Sequence, residues 1–201
     1  MRTVFLAGGI ASGKSTVARM LEERGARRID LDALSREVCL PGSEALQKIV
    51  QRFGEDVIDP KTGELRRGVL AQKAFATAES TRALEDITHP AIFDALEQRL
   101  AKAAEDDVYI VEVPLLDRAQ AFTAVADEIL CVVCPRDIRL RRAVSRGMAA
   151  ADFERRDAQQ PSEEYLREHA TTVLVNDGST ESLERCVDEW WSTMREEEAH
   201  A

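Results

Sequence analysis

The sequence predicts an α/β fold, a parallel five-stranded sheet with helices on both faces, and two observations carry that prediction. Short β-prone apolar runs alternate with helix-length amphipathic stretches along the 201 residues, the pattern of a parallel sheet whose crossovers are helices. The first of these runs, Thr3-Val4-Phe5-Leu6-Ala7, leads straight into Gly8-Gly9-Ile10-Ala11-Ser12-Gly13-Lys14-Ser15, and Lys14 to Arg24 follows as a helix with Val17, Met20 and Leu21 on one stripe. This is G-x-x-x-x-G-K-[ST] between a strand and a helix, a phosphate-binding loop. With glycine near 7% of average composition, the four fixed positions coincide by chance in a chain this long on the order of one time in a hundred. In this setting backbone N–H groups curl round a phosphate at a helix N-terminus, where unpaired donors and the helix dipole both favour an anion. Gly8 and Gly13 permit the tight backbone, and Gly9, Ala11, Ser12 and Thr16 complete the stretch expected against the nucleotide. Lys14 reaches the β- and γ-phosphates as a point charge, and the Ser15 hydroxyl is the candidate ligand for a magnesium ion that bridges them.

Composition bounds the rest. A chain of 22.4 kDa has room for one α/β domain with a modest excursion, and a single domain over 1–201 is the expectation. Hydrophobic residues make 44% and charged residues 32%, far from a disordered composition. No run approaches the roughly 18 apolar residues of a membrane span, and the passage from Met1-Arg2 directly into a strand leads to the expectation of a cytoplasmic protein. The net charge of −10 gives little general attraction for nucleic acid or anionic membrane. Cys39, Cys131, Cys134 and Cys186 show no disulfide framework. Cys131-Val132-Val133-Cys134 resembles a redox or zinc half-site, but positions three apart on a strand face opposite ways and no second ligand pair follows.

Taken in order, the first helix ends at Gly25, a natural left-handed C-cap. Ala26 to Ile29 gives a second strand, closed by Asp30-Leu31-Asp32, and a helix runs from Ala33 to Leu40. A carboxylate at the C-terminal end of a strand beside the phosphate-loop strand faces the crevice where open parallel sheets bind ligands. Asp32 is therefore a candidate site residue; it is equally a good helix N-cap, and position alone leaves both readings open. Pro41-Gly42 breaks the pattern, Ser43 caps Glu44 to Phe53, and Gly54 closes that helix. Asp59 to Glu64 reads as a β-turn, Arg66 to Ala76 as helix, and Glu79 to Lys102 as a long helical stretch expected to bend at Pro90. The segment 40–104 is thus a helical insertion between strands, where an acceptor site can be built.

Val108 to Val113 suits a central strand covered on both faces. Glu112 near its end is either a rim residue or a holder of a magnesium-bound water. Ile129 to Val133 and Thr172 to Val175 supply the fourth and fifth strands. Between them, Pro135 to Arg146 carries five arginines, Arg136, Arg139, Arg141, Arg142 and Arg146, in an otherwise acidic chain. Arg139, Arg142 and Arg146 stand at i, i+3 and i+7, so one helix face carries a row of cations. Such a row is often a solvated face; beside a phosphate loop it also suits neutralisation of transferring phosphoryl charge. Gly147 to Asp152 is small and flexible, and about 136–168 reads as an arginine-bearing lid. Ser179 caps a last helix from Thr180 to about Glu196, with Trp190 the buried member of the Trp190-Trp191 pair and a frayed acidic tail over Glu196 to Ala201.

Several of these motifs together resemble the bacterial dephospho-coenzyme A kinases, over about residues 1–190. They are the opening GGIASGKSTVA, Ile29-Asp30-Leu31-Asp32 followed by Arg36-Glu37-Val38 and Pro41-Gly42, His89-Pro90, Pro114-Leu115-Leu116, Arg142 and Arg146, Gln159, and Asn176 with Gly178. The resemblance implies a P-loop nucleotide-kinase-like fold with a helical acceptor-binding insertion and a helical lid. It also implies ATP-dependent phosphorylation of the ribose 3′-hydroxyl of dephospho-coenzyme A with magnesium, Asp32 as base, and Asn176 on the nucleotide side. Lys14, Arg142 and Arg146 are then the stabilisers of transferring charge. The expected partner is a small-molecule acceptor, with neither nucleic acid nor membrane, and the protein is expected as a monomer or small homo-oligomer. The chain departs from the family at Asp117-Arg118, where an aromatic residue and then Glu are usual. Two other readings share the loop: a nucleoside or nucleoside-monophosphate kinase, and a nucleotide-binding regulatory module without turnover.

Overall fold

The computed structural model describes residues 1–200, and for Gln120 and residues 198–200 the backbone alone. The chain forms two compact units, one built from Met1–Asp30 with the chain from Ala104 onward, the other from Leu31–Ala103.

The first unit holds the sheet. Its strands are β1 (Arg2–Gly8), β2 (Arg27–Asp30), β3 (Val108–Glu112), β4 (Glu128–Val133) and β5 (Thr172–Val175). They run all parallel in the order β2-β3-β1-β4-β5. The phosphate-loop strand is central, with Leu6 opposite Glu112 on one side and Leu130 on the other. β1 is buried from Thr3 to Ala7 and β3 along its whole length, and both are mostly apolar because both faces are covered, as parallel crossovers require. On one face Val4, Leu6, Ile110, Leu130 and Leu174 pack against Val17 and Leu21 of α1 (Lys14–Glu23) and Leu183, Val187 and Trp190 of the last helix. On the other, Ala7, Cys131 and Val133 pack against Leu116 and Leu166.

Local chemistry explains the element ends. The first helix closes in a Schellman motif: Gly25 N–H bonds Glu22 O and Ala26 N–H bonds Leu21 O, with Gly25 at φ 99°. After β4 come α6 (Arg136–Ser145), α7 (Ala150–Asp157) and α8 (Glu163–His169), the last capped by the Ser162 hydroxyl. The flexible stretch expected over Gly147 to Asp152 is shorter than that, because α7 already begins at Ala150 and anchors itself through fully buried Phe153. α9 runs Thr180–His200, so helix continues where a frayed tail was expected from Glu196; Ala201 lies outside the described residues. Trp190 is buried and Trp191 half-buried.

The second unit is helical: α2 (Leu31–Glu37), α3 (Glu44–Phe53), α4 (Arg67–Ala74) and α5 (Ala78–Leu100). Ser43 accepts from Leu46 N–H, and Gly54 terminates α3 at φ 97°. The Asp59–Glu64 turn is tied by Asp59 Oδ1 to the amides of Lys61 and Thr62. α5 runs through Pro90 as one helix. Ile49, Phe53, Val57, Leu70 and Ala74 form a core of this unit's own.

Candidate active site

Between β1 and α1 the backbone passes through two left-handed residues, Ala11 at φ 58° and Gly13 at φ 102°. That conformation costs an alanine about 1–2 kcal/mol, so the loop is held by its surroundings. Glycine is required at the two motif positions by close approach. A Cβ at Gly8 would lie 2.7 Å from both Val132 O and Ser12 Oγ, and one at Gly13 would collide with Asn176 Nδ2. The first N–H groups of α1 have no carbonyl a turn earlier in the helix, and no acidic residue stands in its first turn. This end of the helix is built for an anion.

Lys14 is half-buried, and its ammonium donates to Val113 O, just past the end of β3, at 3.2 Å. Ser12 is buried and its hydroxyl lacks a hydrogen-bond partner. Its carbonyl accepts from Asn176 Nδ2 at 2.7 Å. Asn176 is itself buried, and Arg142 grips it, donating to its carbonyl and to its Oδ1, both at 3.2 Å, and to Gly178 O at 3.4 Å. A continuous chain of bonds thus runs from the loop through Asn176 to Arg142. Arg142 is half-buried and held by these bonds, whereas Arg146 caps the C-terminus of α6 and is exposed.

The remaining expected residues fall as follows. Ser15 is exposed and Thr16 half-buried at the helix start. One hydroxyl is a sparse donor set, yet it fits magnesium, which keeps several waters and uses substrate phosphates rather than an all-protein cage. Among the described residues no group of three or more His, Cys, Asp or Glu side chains could hold a metal. Glu112 is buried and paired with the Arg28 guanidinium. Asp32 belongs to the second unit. It lies in the first turn of α2, not at the strand end and not at the N-cap, because β2 stops at Asp30 and the helix begins at Leu31. All four cysteines are free; burial pushes the Cys131 thiol up to about 11 and also raises Cys134, which suits inert packing groups.

Two contacts on the loop had no sequence signal. Ile10 N–H donates to Gln160 Oε1 at 2.6 Å. Ile10 O accepts from Arg139 Nη1 at 3.5 Å, and that guanidinium is fixed by Asp157 at 2.5 Å.

Comparison with known proteins agrees with this geometry. The family model for dephospho-CoA kinase matches residues 2–182. The chain belongs to the dephospho-CoA kinase family. A dephospho-CoA kinase of Corynebacterium diphtheriae is 40% identical, covering 95% of this chain and 96% of the relative. Another from Geobacter sulfurreducens is also 40% identical, covering 96% and 98%. Among solved structures, TT1252 from Thermus thermophilus superposes with a TM-score of 0.79 at 32% identity, covering 96% of this chain and 97% of that one. The dephospho-CoA kinase family match spans both units and ends inside α9.

Proposed function

We propose that the protein transfers the γ-phosphoryl group of ATP to the ribose 3′-hydroxyl of dephospho-CoA, giving CoA and ADP. The observation that carries this reading is the phosphate loop, with glycines demanded by close approach at Gly8 and Gly13, in a chain whose family match runs over 2–182. The acceptor oxygen forms a bond to the γ-phosphorus as the bond to the β–γ bridging oxygen breaks, and the hydroxyl proton passes to the Asp32 carboxylate. The loop from Gly8 to Thr16 cradles the phosphates, and Asn176 holds the loop carbonyl at Ser12. Lys14, Arg142 and Arg146 oppose the charge on the transferring group. Ser15 is the hydroxyl that would hold magnesium; when bound, the ion neutralises charge on the β- and γ-oxygens. We place the reaction in the cytoplasm; no described helix is long and apolar enough to cross a membrane.

The test is an acceptor panel with ATP, read as ADP release. Dephospho-CoA is expected to be phosphorylated well ahead of adenosine, AMP, CMP or pantetheine compounds. A nucleoside monophosphate winning by a wide margin would replace this reading, and ADP release independent of any acceptor would remove it.

A further inference from the structure

We infer that Gln160 and Arg139 are a positioning pair that fixes the phosphate loop by gripping the two peptide groups flanking Ile10. The inference rests on the reading of Gly8 to Ser15 as the phosphate cradle. The N–H of Ile10 belongs to the Gly9–Ile10 peptide and donates to Gln160 Oε1 at 2.6 Å. The carbonyl belongs to the Ile10–Ala11 peptide and accepts from Arg139 Nη1 at 3.5 Å. Because peptide groups are planar, the two planes on either side of one Cα define its φ and ψ. Both soft dihedrals of Ile10 are therefore set from outside the loop.

The residue that follows shows why this matters. Ala11 sits at φ 58°, a conformation that an L-residue keeps only where its surroundings over-determine it. One of the two peptide planes that define Ala11 is the plane Arg139 holds. Arg139 is in turn immobilised: its Nη1 is on Asp157 Oδ1 at 2.5 Å, its Nε donates to Cys134 O at 3.0 Å, and its guanidinium carbon lies 5.7 Å from the ring centre of fully buried Phe153. Gly9 lies under the pair, since a Cβ there would be 3.2 Å from Arg139 Nη1 and 3.6 Å from Gln160 Oε1. The gripped peptides are upstream of the amides at the open end of α1, so the pair acts on nucleotide through the loop. It also makes the conformation of the loop depend on the α6–α8 region from which both side chains come.

The experiment compares the parent with Gln160→Ala and Gln160→Glu. Exchange of the Ile10 amide is followed by NMR in the nucleotide-free protein, and steady-state kinetics are measured with ATP varied. Losing one hydrogen bond to the loop is expected to speed Ile10 exchange and raise the KM for ATP, each by about tenfold. The kcat is expected to stay within about twofold, the mark of a residue that orders the loop for binding without acting in the transfer itself. In Gln160→Glu a carboxylate oxygen accepts the same N–H, so slow exchange at Ile10 returns. Unchanged Ile10 exchange in Gln160→Ala, a fall in kcat with KM unmoved, or exchange in Gln160→Glu as fast as in Gln160→Ala would each overturn the inference. A parent protein that phosphorylates no acceptor would instead sink the proposed function, while the exchange data would still decide the clamp.

Discussion

Asp32 shows how far one residue's role can be read and where reading stops. Asp30 and Asp32 are both good helix starters, and the sequence offers no means of choosing between them; the structure starts α2 at Leu31, which puts Asp32 in the first turn. There a carboxylate gains about 0.3–1 kcal/mol from the helix dipole, so Asp32→Asn is expected to lose no more than that in denaturant unfolding. A ribose hydroxyl must still surrender its proton, and on the proposed function Asp32 receives it. The same variant is then expected to turn over more slowly by roughly 10²–10⁴-fold with near-normal KM values, the usual cost of losing a general base. Near-parental kcat would leave Asp32 a dipole-stabilising residue and move the search to Asp30. The two outcomes are separable because the structural contribution is small and the catalytic one large.

At the scale of elements, the row of arginines on α6 resolves into residues with different partners. Helical spacing correctly placed Arg139 and Arg142 on one helix, but spacing cannot show that Arg139 turns onto Asp157, eighteen residues away, or that Arg142 turns onto Asn176. Caps set by adjacent residues, such as Ser43 and Gly54, were legible; pairs closed by the fold, such as Arg28 with Glu112, were not. The two arginines kept as charge stabilisers should therefore behave differently. Arg142→Ala leaves the buried oxygens of Asn176 without their donor, which costs roughly 1–3 kcal/mol, and it is expected to raise the KM for ATP because Asn176 holds the loop. Exposed Arg146→Ala should change stability by less than about 0.5 kcal/mol and lower kcat. Melting curves beside steady-state kinetics check both, and an unchanged kcat in Arg146→Ala would return that residue to the solvated face.

Buried Glu128 makes a comparable argument for the sheet. Its carboxylate accepts from Thr172 Oγ1 at 2.7 Å, Trp190 Nε1 at 2.8 Å and Arg2 Nη2 at 3.1 Å, joining β4 to β5, α9 and β1. Glu128→Ala strips three donors of their acceptor and is expected to cost about 3–5 kcal/mol. Glu128→Gln keeps an oxygen acceptor and is expected to lose less. Urea unfolding that ranks the two variants the other way would show that the cost of burying the charge outweighs the bonds it makes.

For the whole molecule, the parallel sheet was legible because it depends on a repeated local pattern. Apolar strands alternate with amphipathic helices in one part, and an unbroken succession of helices with turn signals fills the other. The second unit begins at Leu31, where α2 continues directly from β2 and no linker composition marks the change. If the helical unit serves the acceptor and the sheet unit serves ATP, the two substrates should leave separate footprints in amide exchange. ATP is expected to slow exchange over residues 8–16 and 176–178, where the loop and its Asn176 brace lie, with little change in 31–103. Dephospho-CoA alone is expected to slow exchange within 31–103, a unit with its own apolar core of Ile49, Phe53 and Leu70 that can stiffen as a body. Mass-spectrometric exchange on the full chain reads both at once. Protection by dephospho-CoA confined to the sheet unit would take the acceptor role away from the helical insertion while leaving the phosphate loop's assignment intact.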